Sequence, residues 1–361
     1  MKPLRTLMDA MLARWGKGPI APVIEALDFF LFGPSTVPAG PPHVRDVIDV
    51  KRFMWWAIMG LVPPFLGAVY FFGPRVLLMV LVSYVAGAVV EVAFSILRRE
   101  PIAEGLLVTG LIFPLTLPVE TPLWMVAMGA MFGVFFGKEV FGGTGHNIMN
   151  PALVGRAFLF LSFPRAMSSG WVIPGEGALG GDATTGATPL LTAKLAHAAG
   201  GSASDAVRQA MGSDWCALLW TKGPDAIGAT SAVLCLLGGI IVVVTRVANW
   251  RIPAAVVGTV MVVGGLLHAA APQVFMPVPF QLIAGGLLYG AFFMATDPVS
   301  GPVYNDARWA YGVGIGLLVL VIRALSGFPE GVMFAILLMN LVAPLLDQGS
   351  RSMRARRWRR G

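Results

Sequence analysis

Windows of about 20 apolar residues, the length that crosses a bilayer core, recur along this 361-residue chain from Phe53 to Leu346. Hydrophobic residues make up 56% of it and charged residues only 12%, and its mean hydropathy is +0.75. A soluble domain carries about 25% charged residues, so half that share cannot cover a water-facing surface. The chain reads as an all-α polytopic membrane protein. Its first apolar run follows some fifty residues of mixed character, an arrangement unlike a cleavable signal peptide.

Ten spans are expected, near 53–72, 76–97, 103–118, 123–141, 151–164, 228–247, 252–271, 280–296, 308–325 and 330–347. The chain then divides into a basic leader (1–52), a first membrane half of five spans (53–164), a long loop (165–226), a second half of five spans (227–347) and a basic tail (348–361). Charge orients the whole. With both termini inside, only Arg75, Arg165, Lys194, Arg208, Lys222 and Arg323 fall outside, Arg156 lies within a span, and the other basic residues fall inside. That bias obeys the positive-inside rule and places the long loop on the outer, periplasmic face of a bacterial inner membrane. The tail, with six arginines between Arg351 and Arg360, reads as an anchor against anionic lipid rather than a nucleic-acid footprint.

Five spans per half is an odd number, which forces two related halves into opposite topology. Gly105–Pro122 aligns with Gly286–Pro302 with one gap. Two inverted five-helix repeats are therefore expected, with a site where their Gly/Pro-interrupted segments meet.

Three constellations could carry chemistry. The first is the polar turn Asp182-Ala183-Thr184-Thr185-Gly186-Ala187-Thr188-Pro189 in the long loop. It has no general acid, base or metal pattern, and on composition alone it is a loop. It offers a hydroxyl on a small-residue turn that another enzyme could enclose, with Gly186 permissive and Pro189 stiffening the exit. The second is Lys138 through Arg156. Its three glycines in four residues suggest a phosphate cradle, but no Gly-Lys-Ser/Thr follows. Irregular backbone at membrane depth survives only under protein or around a polar cavity, and Asn147 and Asn150 supply amides that read a flavin or quinone edge. An interfacial turn before an Asn-Pro helix start is the plainer reading, and His146 alone reads as solvated. The third is the set of carboxylates Glu91, Asp297 and Asp347. Ionisable groups in hydrocarbon cost about 2.5–3.5 kcal/mol on insertion scales, so they are candidates for an ion pathway, or helix caps near the interface. Cys216 and Cys235 share no metal spacing and fit no disulfide framework or iron–sulfur cluster. No metal site is expected, and a redox cofactor would be organic or a partner's.

Several blocks are similar to a known family. His43-Val44-Arg45-Asp46 with Asp49-Val50-Lys51-Arg52, Gly137-Lys138-Glu139-Val140-Phe141-Gly142-Gly143-Thr144-Gly145, and Asn150-Pro151-Ala152-Leu153 through Phe160 resemble the B subunits of sodium-translocating NADH:quinone reductases. So do Phe293-Met294-Ala295-Thr296-Asp297-Pro298-Val299 and Phe328-Pro329-Glu330-Gly331-Val332-Met333. The related D subunit of the Rnf complex shares the Met-Ala-Thr-Asp-Pro and Pro-Glu-Gly blocks, whereas the basic leader and the Lys-Glu-Val-Phe-Gly-Gly-Thr-Gly block look more like the quinone-reductase subunit.

The resemblance implies a redox role. It implies FMN held covalently through a phosphoester on Thr188, added by a flavin transferase, with Thr185 where the family usually has serine. Riboflavin, bound without a covalent link, is implied at Asn147 and Asn150 near the inner face. Quinone is implied near a Gly-Gly pair before the second-span glutamate. Here that pair reads Gly87-Ala88, a departure from the family. Glu91, Asp297 and Asp347 match acidic positions linked to sodium uptake. Implied partners are a flavin-bearing periplasmic subunit, an NADH-oxidising subunit, small membrane subunits, quinone and the lipid bilayer. No NADH site is expected within this chain, since it has no dinucleotide fingerprint after a strand. An inverted fold with intramembrane carboxylates also describes a plain transporter or channel, and an Rnf-type D subunit is the nearer alternative.

Overall fold

A computed structural model of the chain describes residues 50–99, 105–169, 188–198, 225–326 and 331–358, with isolated positions between 171 and 220. Residues 1–49 of the leader, residues 181–187 of the turn before Thr188, and Phe328–Glu330 lie outside the described residues. The described elements are helices: α1 (Val50–Phe72), α2 (Arg75–Arg98), α3 (Gly105–Leu115), α4 (Leu123–Gly137), α5 (Pro151–Ser162), α6 (Pro164–Ser169), α7 (Pro189–Ala198), α8 (Ala232–Val244), α9 (Arg251–Ala270), α10 (Val278–Ile283), α11 (Leu287–Tyr289), α12 (Asn305–Leu325) and α13 (Val332–Trp358). A π turn over Gly290–Met294 continues α11.

Among the described residues, six helices are long and apolar enough to cross a membrane: Phe53–Phe72, Arg75–Arg98, Leu123–Phe141, Arg251–Ala270, Asn305–Leu325 and Val332–Arg356. The remaining expected spans differ in form. Those read at 103–118, 151–164 and 228–247 are short helices of 11, 12 and 13 residues. The one read as continuous over 280–296 is broken. Gly285 and Gly286 take left-handed φ of 66° and 63°, a conformation glycine adopts without steric cost, and the helix restarts after them. Hydropathy does not register such a break, because two glycines in an apolar run leave the average high.

Opened backbone inside an apolar bundle must find partners, and here buried side chains supply them. Arg323 Nη1 donates to the Gln281 carbonyl at 2.5 Å and Nη2 to the Ala284 carbonyl at 2.8 Å. Asp225 Oδ2 accepts from the Gly285 N–H at 3.2 Å. Asn150 caps α5, accepting from the N–H groups of Ala152 and Leu153 with Pro151 in the first turn, where the missing proline N–H costs nothing.

Packing follows the same order in both halves: α2 against α3 and α4, then α4 against α5; α9 against α10 and α12, then α12 against α13. The halves meet where α1 crosses α8. That crossing is backbone on backbone, since a Cβ on Gly238 would run into the Gly60 carbonyl oxygen. Small residues at such crossings let apolar helices associate through close van der Waals packing, as needed where lipid removes the hydrophobic drive. Trp55, Trp56, Trp250 and Trp309 are exposed near the starts of α1, α9 and α12, and the Trp250 and Trp309 rings meet edge to face at 5.7 Å. Tryptophans at one end of a bundle mark a membrane–water interface.

Candidate functional site

A cleft with about 90 Å³ of enclosed space opens at that tryptophan-bearing end. Its walls come from both halves: Phe53, Ala57 and Leu61 of α1, Gly105, Val108 and Ile112 of α3, the loop from Lys138 to Pro151, and Phe292 through Val299 after the broken helix. The two segments that the sequence aligned as a repeat thus face each other across one cavity.

Asn147, Asn150 and Asp297 all line it. Asn147 Nδ2 donates to the Met149 carbonyl at 3.3 Å and to Asp297 Oδ2 at 3.4 Å. Asp297 also accepts from Ser300 Oγ at 2.6 Å and, through Oδ1, from the Val299 N–H. Asn150 Nδ2 donates to the Met294 carbonyl at 3.4 Å. The asparagines therefore tie the loop of the first half to the π turn of the second. Their loop is built by Gly142, Gly143 and Gly145, with φ of 118°, 88° and 98°. His146 is exposed and outside the lining.

Sequence reasoning missed a buried ion-pair chain in the wall. Lys138 Nζ sits 2.8 Å from Glu91 Oε2 and 3.8 Å from Glu139 Oε1, all three side chains 3–5% exposed. Arg98 Nη1 lies 3.1 Å from Glu139 Oε2, and its Nη2 donates to the Glu139 carbonyl. Glu91 meets the site through Lys138, which lines the cleft while Glu91 does not. The signal available in the sequence was the lysine alone, a basic residue at the end of an apolar run, with nothing in it to name the partner.

The other expected residues stand elsewhere. Gly87 is buried where α2 meets Leu106 of α3 and Val134 of α4, Ala88 is half-buried beside it, and neither lines the cleft. Asp347 accepts from the backbone N–H groups of Val303 and Tyr304 at 2.9–3.1 Å, pinning the turn before α12 to α13.

Thr188 is at the far end. Its Oγ1 accepts from the Leu191 N–H at 3.1 Å, so it is the N-cap of α7, and it is only 3% exposed. The sequence suggested an open hydroxyl on a small-residue turn. The hydroxyl is instead folded against the helix it starts. Helix α7 docks on the bundle through Leu190, beside Gly285, and through Lys194, whose Nζ donates to the Ser326 carbonyl at 2.6 Å. Burial, and then the neighbouring Arg323 guanidinium, pulls the Lys194 ammonium below the usual lysine value. Asp297 lies just before the start of α12 and Ser326 just after its end. Ser326 caps the end of that 21-residue helix, so Thr188, whose helix docks there, lies toward the opposite end of the bundle from the cleft.

Residues 37–355 match the NQR2, RnfD, RnfE family. The chain is 39% identical to the B subunit of the Na(+)-translocating NADH-quinone reductase of Azotobacter vinelandii, covering 90% of this chain and 89% of that protein. It is 36% identical to the protein of that name from Pseudomonas paraeruginosa over 95% and 96%, and 32% identical to that of Chlamydia caviae over 90% and 93%. With the match covering nearly the whole chain, the protein belongs to the NQR2, RnfD, RnfE family.

Proposed function

We propose that this chain is the membrane electron-transfer subunit of a sodium-translocating NADH:quinone reductase, acting only within the multi-subunit complex. It would take electrons at FMN on Thr188 and deliver them to a riboflavin in the cleft, from which quinone is reduced. The names of the relatives support the complex, and the cleft that gathers Asn147, Asn150 and Asp297 carries the reading for this chain. In this reading the ten expected segments cross the membrane as two inverted fives, the short and broken helices completing the set. The recurring packing order supports it.

The cleft suits a flavin. Its aromatic and aliphatic walls would hold a flat ring, and two polar atoms await a partner. Thr144 Oγ1 is buried without a hydrogen bond, and Asn147 Oδ1 accepts none among the described residues. Buried polar atoms are rarely left unmatched. An isoalloxazine edge carries the donor and acceptor groups that would complete both. At the far end, the N-terminus of α7 would face a phosphate on Thr188, which free helical N–H groups and the helix dipole favour.

A flavin bound at these two places supplies one-electron chemistry, and the protein's share is placement. Asn147 and Thr144 orient the ring edge, Phe292 and Phe293 exclude water from its face, and Asp297 holds Asn147. Glu91, Asp297 and Asp347 are the proposed ion-pathway carboxylates. Gly87 and Ala88 on α2, outside the cleft, are the quinone candidates. The test is the flavin content of the purified complex after acid extraction. Asn147→Leu and Thr144→Val are expected to lose the extractable flavin while retaining the covalent one. Full retention in both variants would contradict the site.

A further inference from the structure

We infer that Lys138 is a positioning residue that ties the charge of the cleft's occupant to Glu91. The inference rests on the flavin reading above and adds a residue outside the expected site. Lys138 is in the cleft wall, yet its ammonium is 2.8 Å from a carboxylate on a different helix, α2. Glu139 is its weaker partner at 3.8 Å, and Glu139 is itself held by Arg98 at 3.1 Å and through its backbone carbonyl. The chain of charges thus runs from Arg98 through Glu139 and Lys138 to Glu91 and balances in pairs.

In a buried, weakly screened wall such charges act on each other and on the occupant far more strongly than in water. An occupant that gains negative charge attracts the ammonium, and that attraction competes with Glu91 for it. The coupling is reciprocal by linkage. Anything that neutralises Glu91 leaves more of the lysine's field for the occupant and makes its reduction easier. Anything that removes the lysine makes reduction harder. A pair that served packing alone would give no such opposed signs.

The experiment is a spectroelectrochemical titration of the non-covalent flavin in the intact purified complex. Lys138→Met is expected to disfavour reduction about tenfold, ~59 mV for a one-electron couple. Glu91→Gln is expected to favour it by a similar factor, and the double variant to return within threefold of the unmodified protein. Lys138→Arg keeps the charge and the potential. Shifts of the same sign in both single variants, or none in either, overturn the inference. Where Lys138→Met fails to assemble, the sign of the Glu91→Gln shift decides alone. Absence of any non-covalent flavin from the unmodified complex defeats the flavin reading and this inference with it, whereas a flavin with unmoved potentials defeats only the inference.

Discussion

Asn147 Nδ2 lies 3.4 Å from Asp297 Oδ2, a contact between residues 150 positions apart that closes the cleft between the two halves of the chain. Asp297 anchors Ser300 and Val299 as well. Its replacement by alanine removes three hydrogen bonds to a carboxylate, each worth about 1.5–3 kcal/mol when the acceptor is charged. Asp297→Ala is expected to weaken retention of the non-covalent flavin at least tenfold and to lower the thermal midpoint of the complex. Acid extraction followed by chromatography, and a thermal scan, measure the two effects.

Arg323 holds open the helix break at Gly285–Gly286 by taking the Gln281 and Ala284 carbonyls. Arg323→Met leaves those buried acceptors unpaired, at about 1–3 kcal/mol each. Loss of assembled complex is expected, seen as a shifted gel-filtration profile in detergent, with Arg323→Lys intermediate. An unchanged profile for the methionine variant would mean the break has other support.

The α1–α8 crossing tolerates no side chain. Gly238→Val places methyls against the Gly60 carbonyl and the Phe293 ring. Overpacking of this kind costs about 1–3 kcal/mol. Because Phe293 also lines the cleft, flavin content should fall along with thermal stability. The same substitution at Gly258, whose Cβ would meet nothing, should leave both unchanged.

How much of this was legible in the sequence depends on the distance over which each feature acts. The helices were legible because an apolar run is local, and the direction of charge bias followed from counting. Asn147, Asn150 and Asp297 could be singled out because a glycine loop and an intramembrane carboxylate are each unusual by themselves. Their meeting could not be read, since the aligned Gly105 and Gly286 segments hold neither asparagine. The Glu91–Lys138 pair was not legible, since nothing in either segment specifies a partner on another helix. Nor was the burial of Thr188, which depends on α7 docking at Gly285 and Ser326. Asp347 shows the converse: a carboxylate conspicuous in an apolar run whose visible contacts are two backbone N–H groups.

Thr188 caps α7 with the oxygen that would carry the flavin phosphate. Thr188→Ser should keep both cap and attachment. Thr188→Val should lose the flavin and about 1 kcal/mol of local helix stability, read as faster amide exchange over residues 191–194.

The central claim, that this chain carries its own flavin on Thr188, is tested most directly by the intact mass of the denatured polypeptide from cells with an active flavin transferase. The expected result is a mass increased by one FMN less one water, localised by peptide fragmentation to Thr188 and absent from Thr188→Val. An unmodified mass, or an adduct that persists in Thr188→Val, would contradict it.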